Sequence, residues 1–158
     1  EKRMNKLNFN VLMQILGMSG VIGSLIFVGL ELQQSQRIAL ADQQQARTEI
    51  GISIVTNLNT IGVDMQSVYF ENSLNYDLTV QEVGLRNMAQ ATWFMYENDF
   101  YQYSQGLMDP YTWAAKKRGI NLLYNNCVVR RIYNSRAPVF SKEFRKVVES
   151  LEDICAKA

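Results

Sequence analysis

The sequence predicts an all-α protein: an apolar N-terminal helix continuing into a long helix, followed by a helical bundle. Three observations point that way. Apolar residues recur at helical spacing in several separate stretches, helix-start signals precede three of them, and no segment alternates convincingly with period two. The length of 158 residues suits one modest core, and 47% hydrophobic residues mark an ordered chain.

The first element is the most explicit. Val11 to Leu30 is a run of 20 residues without a charge, with Gln14, Ser19 and Ser24 its only polar side chains. At ~1.5 Å per residue such a helix covers ~30 Å, the thickness of a bilayer's hydrocarbon core. A cleavable signal peptide has a shorter apolar core of about 7–15 residues and a small-x-small cleavage site. The following ELQQSQR offers no such site. A buried core helix seldom runs this long without one charge. Residues 1–32 are therefore expected to form a tail and transmembrane anchor. Residues 33–158 are expected to form a helical domain, a long stalk helix plus about four or five shorter ones.

Gly17, Ser19, Gly20, Gly23 and Ser24 fall within an arc of about 160° when plotted at ~100° per residue. Small residues let helix backbones approach closely, which supplies packing energy where lipid removes the hydrophobic drive. This predicts a transmembrane packing face for another copy of the chain or a different membrane subunit. Lys2, Arg3 and Lys6 precede the span, whereas Arg37 is the base close behind it. The positive-inside rule then points the tail to the cytoplasm and the body outside, with Arg47 narrowing the margin.

Behind the span, no proline interrupts residues 31–58, and Gln33, Gln34, Gln36 and Gln43 to Gln45 favour helix. The first part of this stalk is polar on all sides; Ile50, Ile54 and Leu58, with Ile52 and Val55, then restore an apolar face. Asn57 to Gly62 reads as a stop and Val63 to Leu74 as a short helix. Thr79 and Glu82 make a capping box for a helix reaching about Gly106. Its helical-period residues are Leu85, Met88, Ala89, Thr92, Tyr96, Phe100, Tyr103 and Leu107. Asp109-Pro110 restarts the chain as N-cap and first helical residue, for a helix to about Arg118-Gly119. Ile120 to Arg136 is expected to break near Asn125-Asn126. Ser141 caps a last helix with Phe144, Val147, Val148, Leu151 and Cys155 in one stripe.

The chain has no histidine. That removes Ser-His-Asp and Cys-His pairs, HExxH zinc sites and His-ligated haem. No GxGxxG, P-loop or GxSxG pattern occurs. Neither a catalytic residue, a cofactor nor a metal ligand is expected. The carboxylates Glu97 and Asp99, or Glu149, Glu152 and Asp153, read as solvated helix faces rather than a cation site. The aromatic run Trp93, Phe94, Tyr96, Phe100, Tyr101 and Tyr103 has helical spacing and interleaved acids, which suits core packing better than nucleic-acid stacking. Cys155, on an apolar stripe, reads as a buried thiol by default. A Cys127–Cys155 disulfide is the alternative if the body lies outside the cytoplasm.

The net charge of +1 hides a split. Residues 38–110 carry two bases against nine acids, a net −7, and residues 111–158 carry ten bases against four acids, a net +6. Lys116, Lys117, Arg118, Arg130 and Arg131, with Arg136 nearby, are the dense basic part. Pairing with the acidic middle is the main expectation, with a remainder left as a contact patch for anionic headgroups or an acidic partner.

Phe27 to Gln36 (FVGLELQQSQ), directly behind the span, resembles a broad group of uncharacterised bacterial membrane proteins with one N-terminal span and a helical domain. The likeness continues in patches through Phe100 to Leu107, Asp109 to Trp113 and Phe140 to Phe144. Members of the group often carry a base where Gln34 stands here, a departure that bears on orientation. The resemblance implies an all-helical domain and a bacterial inner-membrane location, and carries no catalytic residues.

Together these features predict a non-enzymatic, membrane-anchored interaction protein. It would act as a homo-oligomer or as an accessory or scaffold subunit of a larger membrane complex, with the lipid bilayer and other membrane subunits as partners and no nucleic acid. The alternative is a membrane-anchored sensor whose helical domain binds a small ligand or lipid.

Overall fold

The computed structural model describes residues 9–73 and 77–157, the side chain of Lys157 excepted. The described residues form six α-helices: α1 (Phe9–Thr60), α2 (Met65–Tyr69), α3 (Val80–Ser104), α4 (Pro110–Tyr124), α5 (Arg130–Arg136) and α6 (Lys142–Glu149). Single 3-10 turns follow at Ala137–Val139 and Cys155–Lys157, and no strand occurs among the described residues. The protein is all-α. Lys2, Arg3 and Lys6, on which the expected orientation rests, lie outside the described residues, as does Leu74.

The chain divides into two compact units, Glu1–Leu40 and Ala41–Ala158. Within the first, the apolar part of α1 is long and apolar enough to cross a membrane, and none of its most apolar window is buried. It is therefore not a core helix of this chain.

The second unit is the packed body. α1 runs 52 residues and stops where Gly62 takes a φ of 71°, a left-handed value that glycine reaches without a Cβ penalty. Of the expected apolar face, Val55 is buried and Ile52 and Leu58 are half-buried. Ala41, Thr48 and Val55 are buried, while Ile50 and Ile54 stay at least half exposed. Ala41, Thr48, Gly51 and Val55 form a seam of mostly small residues at helical spacing, against which α3 lies antiparallel. Gln102 donates to the Ala41 carbonyl at 3.1 Å, the Phe94 ring covers Gly51, and Asn87 reaches Asn59 at 3.5 Å. The stalk is thus polar on all sides only in its composition, because this face is packed.

Caps set the other boundaries. Asp64 accepts from the Ser67 N–H at 2.7 Å and starts α2, which ends at Tyr69 and is shorter than the Val63–Leu74 expectation. Both halves of the Thr79–Glu82 capping box form. Asp109 caps α4 through the N–H groups of Tyr111 and Thr112. That helix continues through Gly119 to Tyr124, past the expected stop, and the Tyr96 side chain packs over Gly119 in the space a Cβ would take. α5 and α6 follow the break at Asn125 and the Ser141 cap as expected.

The core centres on Trp93, 1% exposed. Its ring meets Tyr133 at 5.2 Å, Phe140 at 5.7 Å, and Tyr96 and Phe144 edge-on at 6.3 Å. Tyr103 stacks on Trp113 at 5.0 Å. Such aromatic pairs add to area burial through their quadrupoles. On α3 the buried positions are Val83, Asn87, Ala89, Gln90 and Trp93, whereas Met88 and Leu107 of the expected stripe are exposed.

Candidate functional site

The small-residue face of α1 is open. A Cβ built on Gly17, Gly20, Gly23 or Gly29 would meet nothing within 4 Å. Ser24 returns its hydroxyl to the Gly20 carbonyl at 2.8 Å, so this polar group on the apolar stretch is satisfied within the helix. Side chains built at Gly17, Gly20 and Gly23 would thus meet open space among the described residues.

The basic cluster is divided by the fold. Lys116 pairs with Asp99 at 3.1 Å and Arg131 with Glu71 at 3.1 Å, each joining the basic stretch to the acidic one. Arg130 is turned inward. Its guanidinium lies 3.7 Å from the Tyr124 ring centroid, donates to the Tyr124 carbonyl at 2.7 Å and pairs with Asp153. Lys117 and Arg118 remain exposed and line a surface groove with Leu122 and Leu151. Among the five expected patch residues, then, three have intramolecular acidic partners.

Cys127 and Cys155 are joined in a disulfide, with their Cα atoms 5.4 Å apart. This corrects the default reading of Cys155 as a buried thiol: α6 ends at Glu149, so Cys155 is carried away from the apolar stripe and back towards Cys127. Around the bridge, Asn125 donates to the Glu152 carbonyl at 2.9 Å and accepts from the Ile154 N–H at 3.0 Å. Asp153 accepts from Arg130, Tyr124 and the Ala156 N–H. The Arg130 hydrogen bond is the main cause holding its pKa down at about 2, beside an ordinary value near ~3.9.

A feature absent from the sequence reading lies between α1, α2, α3 and the end of α5. A cavity of about 340 Å³ is lined by Gly51, Ile54, Met65, Tyr69, Phe70, Phe94 and Val139, with Glu97 and Arg136 as its charged groups. Its size falls at the lower end of small-molecule sites, roughly 300–1,000 Å³. Arg136 is 3% exposed. Its guanidinium stacks 3.9 Å from the Phe94 centroid and donates through Nη1 to Gln90 Oε1 at 2.9 Å. Its Nε has no hydrogen-bond acceptor among the described residues.

Because Gln90 Oε1 accepts from the arginine, its amide Nε2 is left to donate, and it does so to Gln66 Oε1 at 2.9 Å. Gln66 in turn donates to Ser135 Oγ at 2.7 Å. A fully buried row of amides is thus oriented from the charged end. Burial lowers the Arg136 pKa to about 10, with the Glu97 charge opposing the shift. Burial raises the Glu97 pKa, opposed by the Ser141 N–H at 3.0 Å and by Arg136. The acids read as solvated faces behave differently here, since Glu97 lines the cavity and Asp99 pairs across helices. Among the described residues no group of three or more potential metal-binding side chains occurs.

Sequence reasoning passed over Gln66, Gln90 and the inward role of Arg136. One signal was present: Arg136 lies four residues after Ile132, on the face that α5 buries. A charge on a buried stripe is costly unless it is partnered. Comparison of the chain with protein-family models, curated proteins and solved structures gives no match.

Proposed function

We propose that this chain is a single-span protein of a bacterial inner membrane that works by association, its helical body standing on the non-cytoplasmic side. The observation that carries the reading is the apolar stretch of α1. It has the length and composition of a span, and its glycines face open space among the described residues. A partner helix, from a second copy or another subunit, would pack against Gly20 and Gly23. The Cys127–Cys155 disulfide supports the side of the membrane, since such bonds persist in oxidising compartments. The bases preceding the span agree with it.

The test is the mass of the full chain extracted in a mild detergent. A defined assembly is expected, and Gly20→Leu or Gly23→Leu should break it. A monomer unaffected by either substitution would remove the reading. Labelling an introduced surface cysteine with a membrane-impermeant reagent on intact spheroplasts tests the orientation.

One observation favours a second reading, a ligand-binding helical domain: the cavity walled by apolar side chains with a buried arginine at one side.

A further inference from the structure

We infer that the cavity bounded by Ile54, Phe94 and Arg136 binds a carboxylate with an apolar body, an aliphatic or aromatic monocarboxylic acid. The inference rests on the ligand-binding reading and is independent of assembly through the span. Three features define the ligand. The walls are largely hydrocarbon and aromatic, so the ligand's body is apolar. The volume of about 340 Å³ admits one small molecule rather than a peptide helix or a folded partner. The polar group on the wall is a guanidinium, a planar fork that matches a carboxylate and is the preferred partner for one.

The arginine is held, and Glu97, whose charge opposes the effect of its desolvation, makes no direct ion pair with it. Gln90 takes one of its N–H groups, Phe94 covers its face, and no acidic oxygen lies within 4.0 Å of it among the described residues. Its Nε lacks an acceptor. A buried cation without a directly bonded acid is a destabilising element even with Glu97 in the same cavity wall, and a ligand carboxylate would supply the direct partner. Gln90 and Gln66, locked by the amide row, keep the guanidinium from swinging away. Glu97 on the same wall disfavours dianions, which restricts the ligand to a single negative charge.

Such an acid could arrive from water or from the bilayer as a free fatty acid, and the experiment separates the two. The full chain in lipid nanodiscs is titrated calorimetrically with 4-phenylbutyrate and, in parallel, with 4-phenylbutanol, which keeps the body and lacks the charge. Saturable binding is expected for the acid, at least tenfold tighter than for the alcohol. Arg136→Gln should remove that difference. Arg136→Lys, which keeps the charge but not the fork, should retain part of it and guards against loss of fold. Ile54→Trp, at a half-exposed position, should fill the cavity and abolish binding of both compounds.

Oleate in the nanodisc that displaces the acid identifies the bilayer as the source; failure to displace it identifies water. Equal affinity for acid and alcohol, or an acid preference surviving in folded Arg136→Gln, overturns the carboxylate while leaving the ligand-binding reading standing. No saturable binding of either compound overturns both.

Discussion

Arg130 grips Asp153 through two charge-assisted hydrogen bonds, Nη1 to Oδ2 at 2.6 Å and Nη2 to Oδ1 at 2.9 Å. The guanidinium also lies over the Tyr124 ring, whose hydroxyl donates to the same carboxylate at 3.2 Å. Arg130 heads α5 and Tyr124 ends α4, so one ion pair fastens the segment after α6 to both helices. The disulfide fastens it a second time, two residues further on.

This pairing has a pH signature. The Asp153 pKa is about 2 in the folded chain, depressed chiefly by its hydrogen bond from Arg130, and near ~3.9 when unfolded. A depressed carboxylate contributes stability that is present above its unfolded pKa and lost as pH falls through its folded one. Asp153→Asn is therefore expected to lower Tm at neutral pH, with the gap to the wild type narrowing steadily from about pH 4 down to pH ~2. Thermal melts across that window check it; a difference that persists undiminished at the acid end would contradict the assignment.

The disulfide closes a loop with a sequence separation of 28. For a loop of that length, chain entropy alone predicts that replacing both cysteines with serine costs about 3–4 kcal/mol. Because Asn125, Arg130 and Asp153 still bind the same segment, the double variant should keep its helical circular dichroism. Urea unfolding measures the loss, and thiol titration of the denatured wild type should find no free sulfhydryl.

Gly119 and Tyr96 form a testable pair. Alanine in a helix is favoured over glycine by about 1 kcal/mol, yet a Cβ at Gly119 would run into the Tyr96 hydroxyl and lie 3.1 Å from its Cζ. Gly119→Ala is expected to destabilise the body, and adding Tyr96→Phe should recover most of the loss. A double-mutant cycle measures the coupling, and additive effects would show that the two residues do not meet.

Burial on α3 separates two residues that share its sequence. Trp93→Ala should cost about 3–5 kcal/mol, as for other large core aromatics. Met88→Ala should stay within about 0.5 kcal/mol, because Met88 is 55% exposed. Denaturant unfolding of the two variants reads out both values.

What was legible in the residues was local chemistry. The Thr79–Glu82 box, Asp109-Pro110 and Ser141 each act through their own neighbours, and each marks the helix start its chemistry predicts. Those signals suffice for the all-helical class and the order of its elements. Where they conflicted with packing, packing prevailed. Periodicity placed Ile50, Ile54 and Val55 on one apolar face of α1, but the buried positions are Ala41, Thr48 and Val55, with Gly51 under the Phe94 ring, and Ile50 and Ile54 stay at least half exposed.

The same holds for charge. Composition separated an acidic middle from a basic end, and only the fold decided that Lys116, Arg130 and Arg131 find acids while Lys117 and Arg118 stay in solvent. The cavity and the amide row from Arg136 to Ser135 unite residues from distant parts of the chain. A cap is written in four consecutive letters, whereas a cavity exists only where four separate segments fail to fill the space between them. The sequence by itself determined the helices and the apolar stretch; the tertiary structure decided which arginine would be buried beside an empty space.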